Sequence, residues 1–357
     1  MDFIRITLAA GALAMLGACG NRQAAVEESA AEPMRVIFET DMGNDVDDAL
    51  ALDMLMRYAE EGKIDLLGIS TNKRNEGSVE YLDALTTWYG VPEIPLGRVV
   101  DGKPCDDAVN YALEVVKMQD ADGKPLFARS HDTDGFVVPS VEMYRRLLAA
   151  QPDSSVTVIS VGFSTNLAQL LDSKADAISP LSGKDLVAKK VKNLVAMAGC
   201  FTANEEADSL VRMPEYNVVR DIEGARKVFS EWPTPVVTSP WELGNGICFP
   251  ATSIDNDFTR EVPNPVTLAY KAYLPMPYDR PTWDLTSVLY AVEGPDGYFT
   301  LSEPGDIEVD ARGGTRFIPR ADGTRRYMIS DSVQSAAILS RFVEMIPSVP
   351  SRYKAEI

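Results

Sequence analysis

Met34-Arg-Val-Ile-Phe-Glu-Thr-Asp41-Met-Gly43-Asn-Asp45-Val-Asp47-Asp48-Ala-Leu-Ala-Leu52 decides the fold of this 357-residue chain. Its first apolar run, Val36-Ile37-Phe38, has the unbroken character of a parallel strand buried on both faces. Its last residues, Ala49-Leu50-Ala51-Leu52, continue into Leu55, Met56 and Ala59 with the spacing of an amphipathic helix. Between strand and helix stand Asp41, Asp45, Asp47 and Asp48, with Gly43 and Asn44 supplying the tight backbone. Carboxylates so crowded repel one another unless a cation sits among them, and an oxygen-rich cluster suits a hard ion such as calcium or magnesium. The helix N-terminus adds partial positive charge beside them. Ligands of open α/β sheets bind at the carboxyl ends of strands, which is where these aspartates fall. The ordinary alternative is a solvated acidic loop with Asp47 as helix cap. Four aspartates packed between two core elements make that the weaker reading.

Outward from this stretch, strands and helices alternate. Ile64–Thr71 reads as a second strand with a helix over about 48–61 as its crossover, hence a parallel neighbour. A helix follows from Ser78 to Tyr89, then a short strand at Ile94–Gly97. Asp101-Gly102, Asp122-Gly123 and Asp134-Gly135 are turn signals, so 98–135 reads as an irregular insertion on the side of the aspartates. Val137–Ala150 is predicted helical, Val156–Val161 a β-branched core strand, Asn193–Ala198 and Thr234–Thr238 further strands, and Ile222–Ser230 a helix. Another helix opens near Pro281. Beyond Gly297 come short strands around Gly313-Gly314 and Asp322-Gly323, then a helix over 332–345. The alternation over 34–297 predicts one α/β domain with an open, mostly parallel, Rossmann-like sheet and flanking helices, and 298–357 an extension packed on it.

Composition narrows the partners. Apolar residues make up 45% and charged residues 24%, which gives ample core. A formal charge of −19 argues against nucleic acid or anionic lipid, both of which need a basic footprint. Residues 1–18 read as a signal peptide: Ile6–Leu16 is an apolar segment too short to span a bilayer. Leu16-Gly17-Ala18-Cys19 resembles the bacterial lipobox, after which Cys19 is the lipidated first residue and 19–33 a flexible tether. The expected location is therefore the bacterial cell envelope, with membrane contact through the lipid anchor alone. Cys105, Cys200 and Cys248 have no metal-ligand spacing and read as plain thiols.

Thr40-Asp41-x-Gly43-x-x-x-Asp47-Asp48-Ala49-x-Ala51-Leu52 resembles the amino-terminal signature of the nucleoside hydrolases, the inosine–uridine-preferring N-ribohydrolase family. Against the usual Thr-Asp-Pro-Gly-x-Asp-Asp-Ala, Met42 replaces the proline and two extra residues bring in Asp45. Either Asp45 or Asp47 takes the second aspartate's role, and the Asp-Asp-Ala-x-Ala-Leu run favours Asp47. The resemblance recurs in order over about 34–295. It implies a calcium ion held by Asp41, Asp48, the Val161 carbonyl and Asp284, with Asp45 a further candidate. Asp41 is then also the general base. Asp47, Asn75 (with Asn72 as competitor), Glu215 and Asn217 orient ribose, and Asn204 matches another ribose-binding asparagine. Glu215-x-Asn217 is read as an extended segment with both side chains on one side. Thr165 and Asn166 read as helix-start residues. Trp283 stands where the family often has a leaving-group histidine. The single histidine, His131, lies in His131-Asp-Thr-Asp134-Gly135, similar to a family loop near the base pocket, where it either contacts a base or is a plain loop residue. The resemblance further implies a homodimer or tetramer.

The implied reaction is calcium-dependent hydrolysis of ribonucleosides to base and ribose, with the base stacked on an aromatic such as Trp283 or Tyr216. A different class of protein, a surface lipoprotein that captures nucleosides or other ribosides without cleaving them, is motivated by the missing histidine and the insertion. Hydrolysis of another riboside is a third reading. An EF-hand fails on spacing, because Val46 and Leu52 stand where a loop starting at Asp41 needs Gly and Glu.

Overall fold

The computed structural model describes residues 32–104, 108–201, 213–258, 262–347 and 349–353. Strand β1 (Met34–Thr40) is paired in parallel with β2 (Ile64–Thr71) on one side. On the other side lies β5, Val156–Val161, once β3 (Leu96–Arg98) and β4 (Val138–Pro139) have been laid outside β2. Then β6 (Val191–Met197) and β7 (Val236–Ser239) extend the sheet beyond β5. The chain thus builds outward from β1 in one direction, then returns and builds in the other. The switch point lies between β1 and β5, where α/β sheets open a crevice. In register, Thr40 faces both Thr71 and Val161. Asp41, Asn72 and Gly162 therefore leave the sheet side by side.

Beyond β7, a two-stranded ribbon forms from β8 (Cys248–Phe249) and β9 (Arg280–Pro281). The C-terminal residues supply β10 (Thr300–Leu301), β11 (Gly305–Val309), β12 (Thr315–Pro319) and β13 (Arg325–Ile329). Strand β13 pairs in parallel with β7, so the extension continues the main sheet. The order is β12-β11-β13-β7-β6-β5-β1-β2-β3-β4, with β10 on β13. Residues 33–357 form one compact unit.

Helices cover both faces. One layer holds Asp47–Glu60, Ser78–Tyr89, Pro265–Tyr273, Trp283–Glu293 and Ser332–Met345; the other holds Ser140–Ala150, Thr165–Asp172, Gly183–Lys190 and Ile222–Glu231. Helix Asp47–Glu60 is buried from Asp47 through Tyr58 because Trp283–Glu293, itself packed on β5, β6 and β7, lies against it. Its amphipathic pattern understates that burial. Asp53 and Arg57 pair inside it at 3.4 Å.

Two local expectations need correction. The insertion over 98–135 contains a helix, Tyr111–Val116, capped by the Asn110 side chain and pinned by the Tyr111 N–H donating to the Gly43 carbonyl at 2.9 Å. The predicted helix from Val137 starts at Ser140, since Val138–Pro139 pairs with β3 as an edge strand.

One buried acid on β1 gives the fold a pH dependence. Glu39 accepts from the Tyr144 hydroxyl (2.7 Å) and the Ser160 hydroxyl (2.6 Å), and burial pushes its pKa up to about 7 against the lowering effect of those bonds. An acid whose folded pKa lies above its unfolded value leaves stability intact below the unfolded pKa and costs it as pH rises through the folded one. Glu39→Gln should therefore gain on the wild type by on the order of 3 kcal/mol between pH 4 and pH 8. Urea unfolding at both pH values measures this, and a pH-independent difference would contradict it.

Candidate active site

A cavity of about 370 Å³ opens at the carboxyl ends of the central strands. Asp41, Asn44, Asp45, Asp47 and Asp48 line one wall, all from the turn between β1 and its helix. Asp284 enters from the start of helix Trp283–Glu293, whose first turn meets that turn directly: the Asp284 N–H donates to Asp47 Oδ2 at 3.0 Å. Glu215, Tyr216 and Asn217 approach from beyond β6, together with Met197. Trp241, Tyr273, Arg280 and Trp283 make an aromatic and cationic rim.

The turn owes its shape to two glycines. Gly43 has φ +130°, and a Cβ there would meet Asn75 Nδ2 at 1.8 Å. Gly162 follows Val161 at the end of β5, where a Cβ would lie 2.4 Å from Asn72 Oδ1 and 2.8 Å from the Asp41 Cβ. Gly162→Ala should thus push Asp41 out of place, costing about 1–3 kcal/mol of stability as overpacking does. It should also cost activity of the site beyond what that stability loss explains. Thermal unfolding and initial rates on one preparation check this.

The carboxylates are held in an asymmetric web. Thr40 donates its hydroxyl to Asp48 Oδ1, while Asp48 Oδ2 is buried with no hydrogen-bond partner among the described residues. Asn44 Oδ1 and Asn72 Nδ2 are in the same condition. Burial, compounded by neighbouring carboxylates, raises Asp47, Asp48 and Asp284 well above the usual range. Burial raises Asp41 too, opposed chiefly by Lys73. Asp45 alone falls below its ordinary value: burial works against it, but a hydrogen bond with Asp47 and the charge of Arg280 prevail.

Two cations bind this cluster, and sequence reasoning singled out neither. Lys73, at the end of β2 with a fully buried side chain, is 3.3 Å from Asp41 Oδ2. Arg280, on β9, pairs with Asp45 and lies 3.9 Å from Asp47 Oδ1. Lys73 sits one residue past Asn72 in the turn searched for a ribose contact, and Arg280 three residues before Trp283.

Of the other expected residues, Val161 is buried at the end of β5 beside Asp41's strand. Glu215 and Asn217 do not share an extended segment. Glu215 is the N-cap of helix Tyr216–Arg220, accepting from the Asn217, Val218 and Gly199 N–H groups at 2.8, 3.2 and 3.1 Å. Burial still pushes its pKa up to about 7 against those three donors. Asn217 donates to the Met197 carbonyl at 3.1 Å. Asn75 is absent from the cavity wall: it donates to the Met42 carbonyl (3.2 Å) and Ser78 Oγ (2.9 Å), bracing the Gly43 turn. His131 is also elsewhere, with Nδ1 2.9 Å from buried Asp83 and its ring stacked on Phe136 at 3.5 Å. Asn166 donates to the Thr71 carbonyl at 3.0 Å and Thr165 to Asp221 at 2.7 Å, both structural contacts. Asn204 and Cys19 lie outside the described residues.

An all-oxygen donor set, a partnerless buried carboxylate oxygen and mutually repelling acids fit a hard divalent cation. No group of three or more His, Cys, Asp or Glu side chains is closed up as a metal site among the described residues. The acids instead turn toward Lys73, Arg280 and one another.

The fold has counterparts among solved structures. The fold is similar to that of a plant nucleoside hydrolase, PpNRh1, at a TM-score of 0.64 and 17% identity over 88% of this chain and 99% of that one. A purine-preferring ribonucleoside hydrolase from Gardnerella vaginalis gives 0.65 and 16% over 89% and 99%. The inosine–uridine-preferring nucleoside hydrolase from Bacillus anthracis gives 0.56 and 16% over 87% and 99%. No curated protein sequence matches significantly. Residues 36–327 match the family model described as inosine-uridine preferring nucleoside hydrolase. The chain belongs to that family and is a hydrolase acting on N-glycosyl bonds.

Proposed function

We propose that the protein hydrolyses ribonucleosides to free base and ribose with the aid of a calcium ion. The observation that carries this reading is the meeting of Asp41, Asp47 and Asp48 with Asp284, 237 residues from Asp47 in sequence, in one cavity with Glu215 and Asn217. Asp41, Asp48, Asp284 and the Val161 carbonyl are the groups that would hold the ion. When bound, it supplies a fixed positive charge toward which a water and the ribose diol are drawn.

The chain's own residues do the rest. Asp41 takes the proton of the attacking water, and Lys73 at 3.3 Å favours its ionised form against the opposing effect of burial. Asp47 and Asn217 orient ribose hydroxyls, a placement that lowers the barrier by several kcal/mol, as orientation effects do. Glu215, with its oxygens already accepting from three N–H groups, fixes Asn217 more than it grips the sugar. Trp283, whose Nε1 donates to the Trp241 carbonyl at 2.9 Å, offers its face to the base. Neutral nucleosides suit a cavity lined so heavily with carboxylates.

One observation favours a second reading. A buried ammonium on Asp41 also restrains that carboxylate, as a capture protein that binds ribosides without cleaving them would tolerate. Chromatography of purine and pyrimidine nucleosides incubated with calcium or chelator separates the two. Base released only with calcium supports the hydrolase. Calcium-dependent binding of intact nucleoside would replace it with capture. We further propose that Leu16-Gly-Ala-Cys19 directs lipid attachment at Cys19 in a bacterial envelope; radiolabelled palmitate incorporated by the wild type and lost in Cys19→Ala is the expected result.

A further inference from the structure

The groups assigned above leave the departing base without help. Heterolysis of a C–N bond needs something to stabilise the electron pair that stays on the base. The single histidine is held away by Asp83 and Phe136 and does not line the cavity. Among the described lining residues Arg280 is the one cation. Its guanidinium carbon lies 4.8 Å from the Tyr273 ring centroid and 4.9 Å from that of Trp283, so two aromatic rings hold it. Pairing of β8 with β9 fixes its backbone through Phe249. Nη2 binds Asp45, the side chain is only 11% exposed, and Nε has no hydrogen-bond partner among the described residues. Clamping a planar fork this tightly, with donors to spare, one side chain from Asp47, is more than a surface ion pair requires.

We propose that Arg280 is the electrophilic group that stabilises the leaving base, and that Asp45 is the positioning residue that aims it. This rests on the nucleosidase reading. The C1′–N bond breaks and its electron pair stays on the base nitrogen. The water oxygen bonds to C1′ and its proton passes to Asp41. An Arg280 N–H donates a hydrogen bond to the carbonyl or ring nitrogen where the charge collects. Arginine keeps its proton throughout, so the base leaves as an anion and is protonated by solvent after release. The guanidinium is already paired with Asp45, and Asp41, Asp47, Asp48, Glu215 and Asp284 line the same cavity. It therefore recognises a neutral base with acceptor atoms, and not a phosphate.

The test compares inosine and uridine with 4-nitrophenyl β-D-ribofuranoside, whose phenolate departs unaided, in wild type, R280Q, R280K, D45N and the D45N/R280Q double variant of the full-length protein. R280Q should lower kcat on nucleosides about 10²-fold, as loss of one preorganised donor does. Its fall on the nitrophenyl riboside should be at least about ten times smaller. R280K should resemble R280Q, because an ammonium lacks the planar fork. D45N should lose less than R280Q, and the double variant no more than R280Q alone, since Asp45 acts through Arg280. Calorimetric ribose affinity should stay within about threefold of wild type, a change of under one kcal/mol by the affinity relation. Equal losses on both substrate types, or lost ribose binding in both R280Q and R280K, would make Arg280 structural and overturn the proposal. A wild type that cleaves the nitrophenyl riboside and no nucleoside would overturn it too. Cleavage of neither substrate would remove the nucleosidase reading itself.

Discussion

Asp41→Asn should lower kcat on nucleosides by about 10³-fold, within the range that loss of a positioned general base produces. The mutation also breaks the buried pair with Lys73. Breaking a buried ion pair from one side is costly, so the variant should lose about 3 kcal/mol of stability. The two effects separate in the double variant Asp41→Asn/Lys73→Met, which removes both charges together. Stability should largely return, while activity should not. Urea midpoints and initial rates on both variants provide the measurement. A double variant that regained activity would show that Asp41 serves only to neutralise Lys73.

Asp48→Asn should abolish calcium-dependent activity and, without calcium, stabilise the protein. Asp48 is buried, accepts from Thr40 through one oxygen and leaves the other partnerless among the described residues. Burial first, then Asp41 and Asp45, push its pKa well up. An acid shifted upward costs stability progressively as pH rises past its unfolded pKa and through its folded one. The neutral amide, which keeps an oxygen for Thr40, should therefore gain on the order of 1–3 kcal/mol at pH 8 in the presence of chelator and little at pH 4. Calcium should then raise the Tm of the wild type and leave that of Asp48→Asn unmoved, because a ligand stabilises only the form it binds. Loss of stability at every pH would mean the carboxylate is held by partners the geometry does not reveal.

These two effects come from the stretch that was most legible in the sequence, and for a local reason. A continuous apolar run, a glycine turn with crowded acids and an amphipathic run are each written within a few residues. Together they specify strand, strand-end site and helix, and Met34–Thr40 and Asp47–Glu60 follow them closely. Asp284 was legible only through resemblance, since nothing local ties a helix start at 283 to a turn at 41–48. What stayed hidden were the counter-charges. A lysine in a polar turn reads as exposed, because lysine is seldom buried unless paired. Lys73's partner lies 32 residues away across the β1–β2 pairing. Arg280 depends on Asp45, which the motif spacing alone made look like a spare ligand.

Elsewhere the structure gives expected contact residues hydrogen-bond partners within the protein itself. Asn75 and His131 have the chemistry of ribose and base contacts. Met42 and Ser78 claim the first, Asp83 and Phe136 the second. Glu215 lines the cavity, but its carboxylate accepts from the Gly199, Asn217 and Val218 N–H groups. Sequence supplies the donor and acceptor types; only the fold tells which of them are already taken.

The most direct measurement is release of reducing ribose from inosine and uridine by the purified protein, with calcium and with chelator, beside Asp48→Asn. The account predicts release that needs calcium and disappears in Asp48→Asn. Ribose released equally with chelator, or by Asp48→Asn as by the wild type, would contradict it.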